Sequence, residues 1–566
     1  MFRATKVMTF RDKIIITFLI FAIIITTLWW LRSLYNHFTV IGPTAGGQYI
    51  EAVFGQPTAI NPLLAPGSQA SSDRMLTKLI YGSLYTYDKD GQLKVDMAQD
   101  LQQSEDGLQY TVTIKEGLTF HDGQELTADD IVFTFNIAKD PSYDSVVSGL
   151  QIAWRDIIIE KIDNRTVQFT LEKSRGDFPH LLTLGILPQH IWKDIAPLQF
   201  RLAEFNQKPV GSGPYEYATN VVSAEGQIDS YTLRSFRKYH HGEPLITKFV
   251  MQVFPDRAEA IDAFNDGRVS GVTANSRERI EQLITEQKSQ VILRRPSYFG
   301  VFFNQAKNVS LAFAEVREAL LLATDRSQII DEVFGTSAFP VDAALLADME
   351  GYAENQGQPK FDRAEAIRIL EEKEWIVGED GVRILDSNPE KPRLAFSISV
   401  NADREQLVRT AEVLAAQWKE VGAEVTVDKK QGDDLDTNVV RSREYEALMT
   451  FHPMRWDDPN LFALWHSKEK DHPGLNYSAM QDGPMDNALE ALQTENDSDR
   501  RAVIYENIQS RIKIIDPAVF LFATGFLFAY DNEIRGVNVK NVNAPQDRFT
   551  DVHEWYIKQK RQFKRK

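Results

Sequence analysis

The stretch EDGLQYTVTIKEGLTFHDGQELTADDIVFTF, residues 105–135, sets the terms for the rest of the chain. LQYTVTI alternates apolar and polar side chains, the period of a strand with one face buried. Glu116-Gly117 is a turn, LTF reads as a second short strand, and His121-Asp122-Gly123 is another turn. Thr127 then stands as the N-cap of a helix with Asp130 three residues on, the spacing of a capping box. IVFTFNIA supplies that helix with an apolar face.

The same grammar extends outward. QYIEAVF reads as a strand, and SSDRMLTKLIYGSLYTYD as an amphipathic helix with Asp73 as its N-cap and Gly82 as its break. DIIIEKI and TVQFTL are strands joined at Asp163-Asn164, GSGPY (211–215) is a tight glycine turn, and 231–238 and 247–254 are strands. Asp256 opens a helix that ends at Gly267. Helices and strands then interleave. YFGVFFN (298–304) is a buried strand, Asp325 and Asp362 cap helices, and Leu407, Ala411, Leu414 and Trp418 recur at helical spacing before Gly422 and the strand AEVTV. This alternation predicts an α/β protein whose parallel or mixed sheet is covered by helices.

A chain of 566 residues is longer than one core sustains. Its net charge of −17 argues against nucleic acid as a partner. Without cysteine there is no disulfide, no thiolate catalysis, no Cys-ligated metal and no lipid-bearing N-terminal cysteine. At the N-terminus, Arg3, Lys6, Arg11 and Lys13 precede the uncharged run IIITFLIFAIIITTLWWL, residues 14–31, with Trp29 and Trp30 at its far end. That run is long enough to span a bilayer, and the basic residues before it place the N-terminus in the cytoplasm. It exceeds the length of a signal-peptide core, and RSLYNHFTVIGPTAGG after it lacks a small-x-small cleavage site. The expectation is an uncleaved single-pass anchor, with residues 1–13 cytoplasmic, 32–47 a linker and the bulk extracytoplasmic. The C-terminal KQKRQFKRK reads as a basic tail, either frayed or resting on anionic polymer or lipid.

The chain lacks the phosphate-binding, dinucleotide, nucleophile-elbow and zinc-protease motifs. His121, Asp122, Glu125, Asp129 and Asp130 fit a turn and a helix cap better than a metal site, and His240-His241 reads as a surface pair before Gly242. Asp457 and Asp458 are adjacent on an extended segment and therefore point apart, a poor arrangement for one acid/base task. No catalytic residue, cofactor or metal is expected.

The stretch 105–135, then GSGPY (211–215), VREALLLATDRSQI (316–329), FDRAEAIRILEEKEW (361–375), AEVLAAQWKEVGAEVTV (411–427) and WDDPNLFALWHS (456–467) occur in an order that resembles the extracellular binding proteins of ATP-driven importers for oligopeptides, dipeptides and nickel. The resemblance runs from about Gly47 to Asp551. It implies a two-lobed periplasmic-binding-protein type II architecture with an extra inserted small domain. Lobe I would comprise 48–84, 209–305 and 515–555, the inserted domain 85–208, lobe II 306–514, and the tail 556–566. The implied function is capture of a peptide or peptide-like solute between the lobes and delivery to an ABC-transporter permease with a separate ATPase. The chain would act as a monomer without enzymatic activity; the alternative is a sensory or scaffolding receptor of the same fold. In peptide-binding members an aspartate near the Asp-Pro pair holds the peptide amine. An ungapped match on Asp458-Pro459 places Arg455 there, a residue suited to a carboxylate or phosphate instead. A slipped register places Asp457 there. Tyr298, Phe299, Phe302, His452, Arg455, Trp456 and Asp457 are thus the expected ligand-binding residues.

Overall fold

The computed structural model describes residues 9–68, 70–140, 150–274, 288–335, 338–495 and 497–563; Arg3, Lys6 and the last three residues of the basic tail lie outside them. The near-continuous apolar run AVFLFATGFLFAYD forms one strand, Ala518–Asp531, buried along most of its length as a strand covered on both faces must be. It belongs to a 12-stranded mixed sheet. Its first residues pair antiparallel with Ser297–Phe303, whose other edge carries Ala447–Pro453, Ala395–Asn401 and Glu424–Lys430. Its last residues pair antiparallel with Gly271–Ala274 and Lys288–Arg294, and from there the sheet continues through Gln48–Phe54, Lys248–Phe254, Ile228–Ser235 and Tyr215–Val222. One strand is therefore shared by two lobes. Gly300 and Gly525 permit the crossing, because a Cβ on either would stand 2.8 Å from a backbone oxygen, of Val519 or Leu293.

Helices cover the second lobe as their caps direct. Asp325 accepts from Gln328 N at 3.0 Å and Asp362 from Glu365 N at 3.0 Å. Trp418 of helix Glu405–Lys419 is fully buried and donates its indole N–H to Leu320 O at 3.0 Å. Two other expectations are corrected. LTF forms only a bridge, Thr119 to Glu125. Asp73 lies inside the first turn of helix Ser71–Ile80, whose N-cap is Ala70. Its buried carboxylate instead accepts from Thr58 N at 2.8 Å and from the Thr58 and Ser68 hydroxyls, tying down the preceding loop.

A four-stranded antiparallel sheet, in the order Ala98–Gln103, Gln109–Ile114, Thr166–Leu171, Ile157–Lys161, packs under helix Ala128–Lys139. The capping box of Thr127 and Asp130 is present. Its core residues Val112, Phe135 and Phe169 are continuous with Tyr49, Leu79 and Phe249 of the first lobe, so this unit has no separate hydrophobic centre. The two halves of the join interlock through the sequence motifs. His121 N donates to Gly211 O at 2.8 Å, Gly211 N donates to His121 Nδ1 at 3.2 Å, and His121 Nε2 lies 3.1 Å from Gly213 O. Gly213 N donates to Ile80 O at 2.7 Å. Burial pushes the His121 pKa down to about 4, so the ring is neutral, with Nδ1 accepting and Nε2–H donating.

The N-terminal helix runs from Phe10 to Phe38, beyond the expected anchor on both sides. Thr9 and Asp12 cap it, and none of its described side chains is buried. Residues expected to be linker and tail form an antiparallel ribbon, Thr39–Pro43 with Gln559–Phe563. Arg561 of that ribbon donates to Thr39 Oγ1 at 2.8 Å. The tail is a strand because the linker offers it an unpaired edge.

A Cβ at Gly211 would come within 2.1 Å of Ile80 O, whereas at Gly176 it meets nothing within 4 Å. Gly211→Ala should lower the free energy of unfolding by about 1–3 kcal/mol or more, and Gly176→Ala should stay within about 0.5 kcal/mol of the parent in denaturant melts. The depressed His121 pKa also fixes a sign. Between about 6.5 and 4 the unfolded chain binds a proton that the folded chain does not. This contribution is present above about 6.5 and is lost as pH falls toward 4, at up to about 1.4 kcal/mol per pH unit. In thermal melts at pH 7 and pH 5, His121→Gln should show a smaller drop in midpoint than the parent.

Candidate functional site: an arginine-lined cleft between the lobes

Where the shared strand passes between the lobes, Thr524, Gly525 and Phe526 line a cavity of about 650 Å³. The first lobe contributes Phe54, Ser71, Arg74, Met75 and Arg257 to its wall. The second contributes Phe334 and the N-terminus of helix Glu405–Lys419, with Arg404, Gln406 and Leu407. Arg295, beside the crossing strand, completes a set of four arginines against one acidic side chain, Glu405.

These cations are not spent on carboxylates. Arg257 lies over the Phe54 ring at 4.6 Å and Arg74 donates to Ser68 O. Among the described residues none of the four has a carboxylate within ion-pair distance. Arg295 opens toward the cleft but is flanked by both lobes; that desolvation, and then the Arg404 guanidinium, hold its pKa below the ordinary value. Helices Ser71–Ile80, Arg257–Asn265 and Glu405–Lys419 all begin at this wall, and helix N-termini add partial positive charge. Ser71 Oγ is buried there with no hydrogen-bond partner among the described residues. Phe54, Phe299, Phe334 and Phe526 provide apolar surface between the charges. Such a site suits a solute with an anionic group on a partly apolar frame.

A second cavity of about 350 Å³ adjoins the first, sharing Arg74 and continuing past Ala544 to Tyr87, Trp154 and His180. Tyr87 OH lies 3.1 Å from His180 Nδ1, which stands 3.7 Å from Asp457 Oδ2.

Of the seven residues expected from sequence, Phe299 alone lines the large cavity. Tyr298 points to the opposite face of the strand, as alternation requires, and packs fully buried between His452 and Phe520. Phe302 is buried against Trp465 and Tyr477. His452 is buried with Nε2 at 3.1 Å from Pro459 O, and burial lowers its pKa to about 4. Arg455 pairs with Asp458 across a tight turn. Trp456 packs on Gly91, where a Cβ would meet its ring at 2.3 Å, and its backbone N–H donates to Asn543 Oδ1 at 3.1 Å. Asp457 Oδ2 accepts from Leu93 N at 3.1 Å, and burial raises its pKa. The 455–458 turn is therefore a latch from the second lobe onto the 85–95 hairpin. Sequence reading missed the four arginines: Arg74, Arg257 and Arg404 each stand directly after an aspartate and look like surface ion-pair residues, and only Arg295 has no acidic residue in its flanking sequence.

Two lobes joined by shared strands around a solute-sized, charged cleft define a solute-binding protein. The family model for bacterial extracellular solute-binding proteins, family 5, middle region, matches residues 92–472, and the chain belongs to that family. It is 26% identical over 538 residues to the oligopeptide-binding protein AppA of Bacillus subtilis (strain 168), covering 91% of this chain and 92% of that one. The solved structure of AppA from Bacillus subtilis with a nonapeptide superposes with a TM-score of 0.63 at 23% identity, covering 91% of this chain and 99% of that one. HbpA2 from Haemophilus parasuis gives a TM-score of 0.76 at 20% identity over 88% of this chain and 98% of that one.

Proposed function

We propose that this protein captures a peptide or peptide-like solute carrying a carboxylate or comparable anion between its lobes, and delivers it to an ABC-transporter permease. The observation that carries this reading is the four-arginine wall of the inter-lobe cavity. An arginine presents two parallel N–H donors to a carboxylate, so a peptide C-terminus is a fitting occupant. The adjoining cavity lengthens the cleft, as a chain of several residues needs. The similarity to an oligopeptide-binding protein supports the same solute class. Closure of the lobes on a bound solute gives the permease a shape to recognise, and no bond need be broken.

The test uses the full chain in detergent, freed of bound solute, with thermal unfolding against di- to pentapeptides bearing free or amidated C-termini. Free-acid peptides should raise the midpoint by mass action and amidated ones much less. Arg295→Ala and Arg404→Ala should each weaken binding by about 1.5–3 kcal/mol, roughly 10- to 100-fold in Kd. Equal stabilisation by acid and amide, unchanged in both variants, would remove the arginines from the site.

The helix Phe10–Phe38 is about 43 Å long at about 1.5 Å per residue, and its exposed Ile, Leu, Phe and Trp side chains have no cover among the described residues. A bilayer provides that cover, so the same reading anchors the protein at the cytoplasmic membrane with its lobes outside. The full chain should stay with membranes through alkaline carbonate washing, and a chain lacking residues 1–38 should be released. Retention of the shortened chain would show that another element holds it.

A further inference from the structure

Outside the arginine-lined cavity, three side chains with metal-ligand chemistry converge. Asp96 follows the short strand Leu93–Val95, and His240 and His241 lie on the turn Tyr239–Gly242, which closes with Gly242 N donating to Tyr239 O at 2.8 Å. His240 Nε2 is 2.7 Å and His241 Nε2 2.8 Å from the same oxygen, Asp96 Oδ1. Neighbouring residues normally direct their side chains apart. Here the turn folds both imidazoles back to one point, their centroids 4.2 Å apart. Asp96 and His240 are buried, with side chains 8% exposed, while His241 is 32% exposed. His553 stacks on His241 at 5.6 Å, and its Nδ1 is buried without a partner among the described residues. A small cavity of about 160 Å³ is lined by Asp96, His241 and His553. The two lysines on its wall are engaged, Lys94 with Asp551 at 3.1 Å and Lys78 with Thr86 Oγ1 at 2.6 Å.

We propose that Asp96, His240 and His241 bind a divalent first-row transition-metal ion of the zinc type, with His553 or water completing the shell. The three ligand atoms already lie within 4.8 Å of one another. Tetrahedral zinc with ligand distances of about 2.0–2.1 Å needs neighbouring ligand atoms roughly 3.3–3.4 Å apart. The observed separations of 2.7 and 2.8 Å thus have to widen by only about 0.6 Å to meet that requirement. Imidazole nitrogen with a single carboxylate suits zinc, nickel or copper rather than calcium or magnesium. The ligands come from two segments 144 residues apart, and His553 from a third. The ion therefore acts as a staple between the root of the inserted domain, the sheet of the first lobe and the C-terminal segment. Its role is structural: its cavity shares Lys78, Tyr81, Ser83 and Thr86 with the smaller solute cavity but no residue with the arginine-lined one.

The experiment uses untagged full chain in detergent, stripped with a chelator and dialysed. Zinc chloride is titrated by calorimetry, and cobalt is added separately to read its visible ligand-field bands. The expected result is one equivalent of zinc per chain, a higher thermal midpoint, and the intense bands of low-coordinate cobalt. His240→Ala and His241→Gln should each weaken zinc binding by roughly 100-fold or more, since losing even an outer-shell partner costs 10- to 100-fold. His241→Gln replaces the more exposed ring and guards against misfolding, which circular dichroism checks in both variants. Peptide-induced stabilisation should be unchanged in His241→Gln, a residue that lines neither solute cavity, which separates this site from the arginine wall. Absence of saturable zinc binding by the parent, or undiminished binding in a folded His240→Ala/His241→Gln double variant, would leave the cluster as a hydrogen-bonded aspartate with two imidazoles and overturn the proposal.

Discussion

The backbone ladder along Ala518–Asp531 is the interaction on which everything else depends. Its first residues are held by Ser297–Phe303 and its last by Lys288–Arg294 and Gly271–Ala274, so one strand is a member of both lobes. Hydrogen bonds fix the register at each end, and because the strand is covered on both faces a shift of one residue would mismatch its side chains with the packing of both lobes at once. Within the first of these ladders the register shifts between Phe299 and Gly300. Bulges of this kind bend strands and interrupt ladders. Between the two ladders Phe522–Thr524 pairs antiparallel with Ala338–Pro340, and the cavity opens at Thr524, Gly525 and Phe526. Hinge motion concentrates where few residues can absorb a change in backbone angles, and at the crossing Thr524, Gly525 and Phe526 line the candidate cavity.

The second requirement is that the inserted unit move with the first lobe. The shared core and the His121–Gly211–Gly213–Ile80 network meet it. A histidine in that network serves as acceptor at one nitrogen and donor at the other only while neutral, and burial keeps it so. The glycines are needed because the peptide of Ile80 occupies the space a side chain would take. Two motifs nearly a hundred residues apart in sequence are therefore halves of one joint.

What was legible in the sequence was local. The capping aspartates 256, 325 and 362 and the Thr127–Asp130 box act within one turn, so spacing alone identified them. The helix before Gly422 carries its own hydrophobic pattern, whereas the apolar run 518–531 was not read as a strand from the sequence. Asp73 misled because an acidic residue inside a first turn looks like a cap, while its actual partners are in the loop before it. The site was not legible for a deeper reason. Arg74, Arg257, Arg295 and Arg404 come from four distant segments, and nothing in the neighbourhood of any one announces the other three. The Asp-Pro stretch did offer a local pattern, and the structure uses it for a turn and a latch.

On the proposed function, the arginine wall also bears on how solute capture would be coupled to shape. Arg74 and Arg257 belong to the first lobe, Arg404 to the second, and Arg295 stands beside the crossing. Arg295 and Arg404 put like charges on one cavity wall, and desolvation first, then the Arg404 guanidinium, hold the Arg295 pKa below its ordinary value. In an empty cleft this repulsion, acting where water is partly excluded, opposes bringing the lobes together. An anion placed among the four converts repulsion into attraction for both lobes at once. The ligand then has a larger interaction with the closed form than with the open one, the condition for a ligand to shift a conformational equilibrium. A neutral solute of the same size would fill the space without removing the repulsion. On the proposed function, selectivity for anionic solutes and coupling to closure are consequences of the same four side chains.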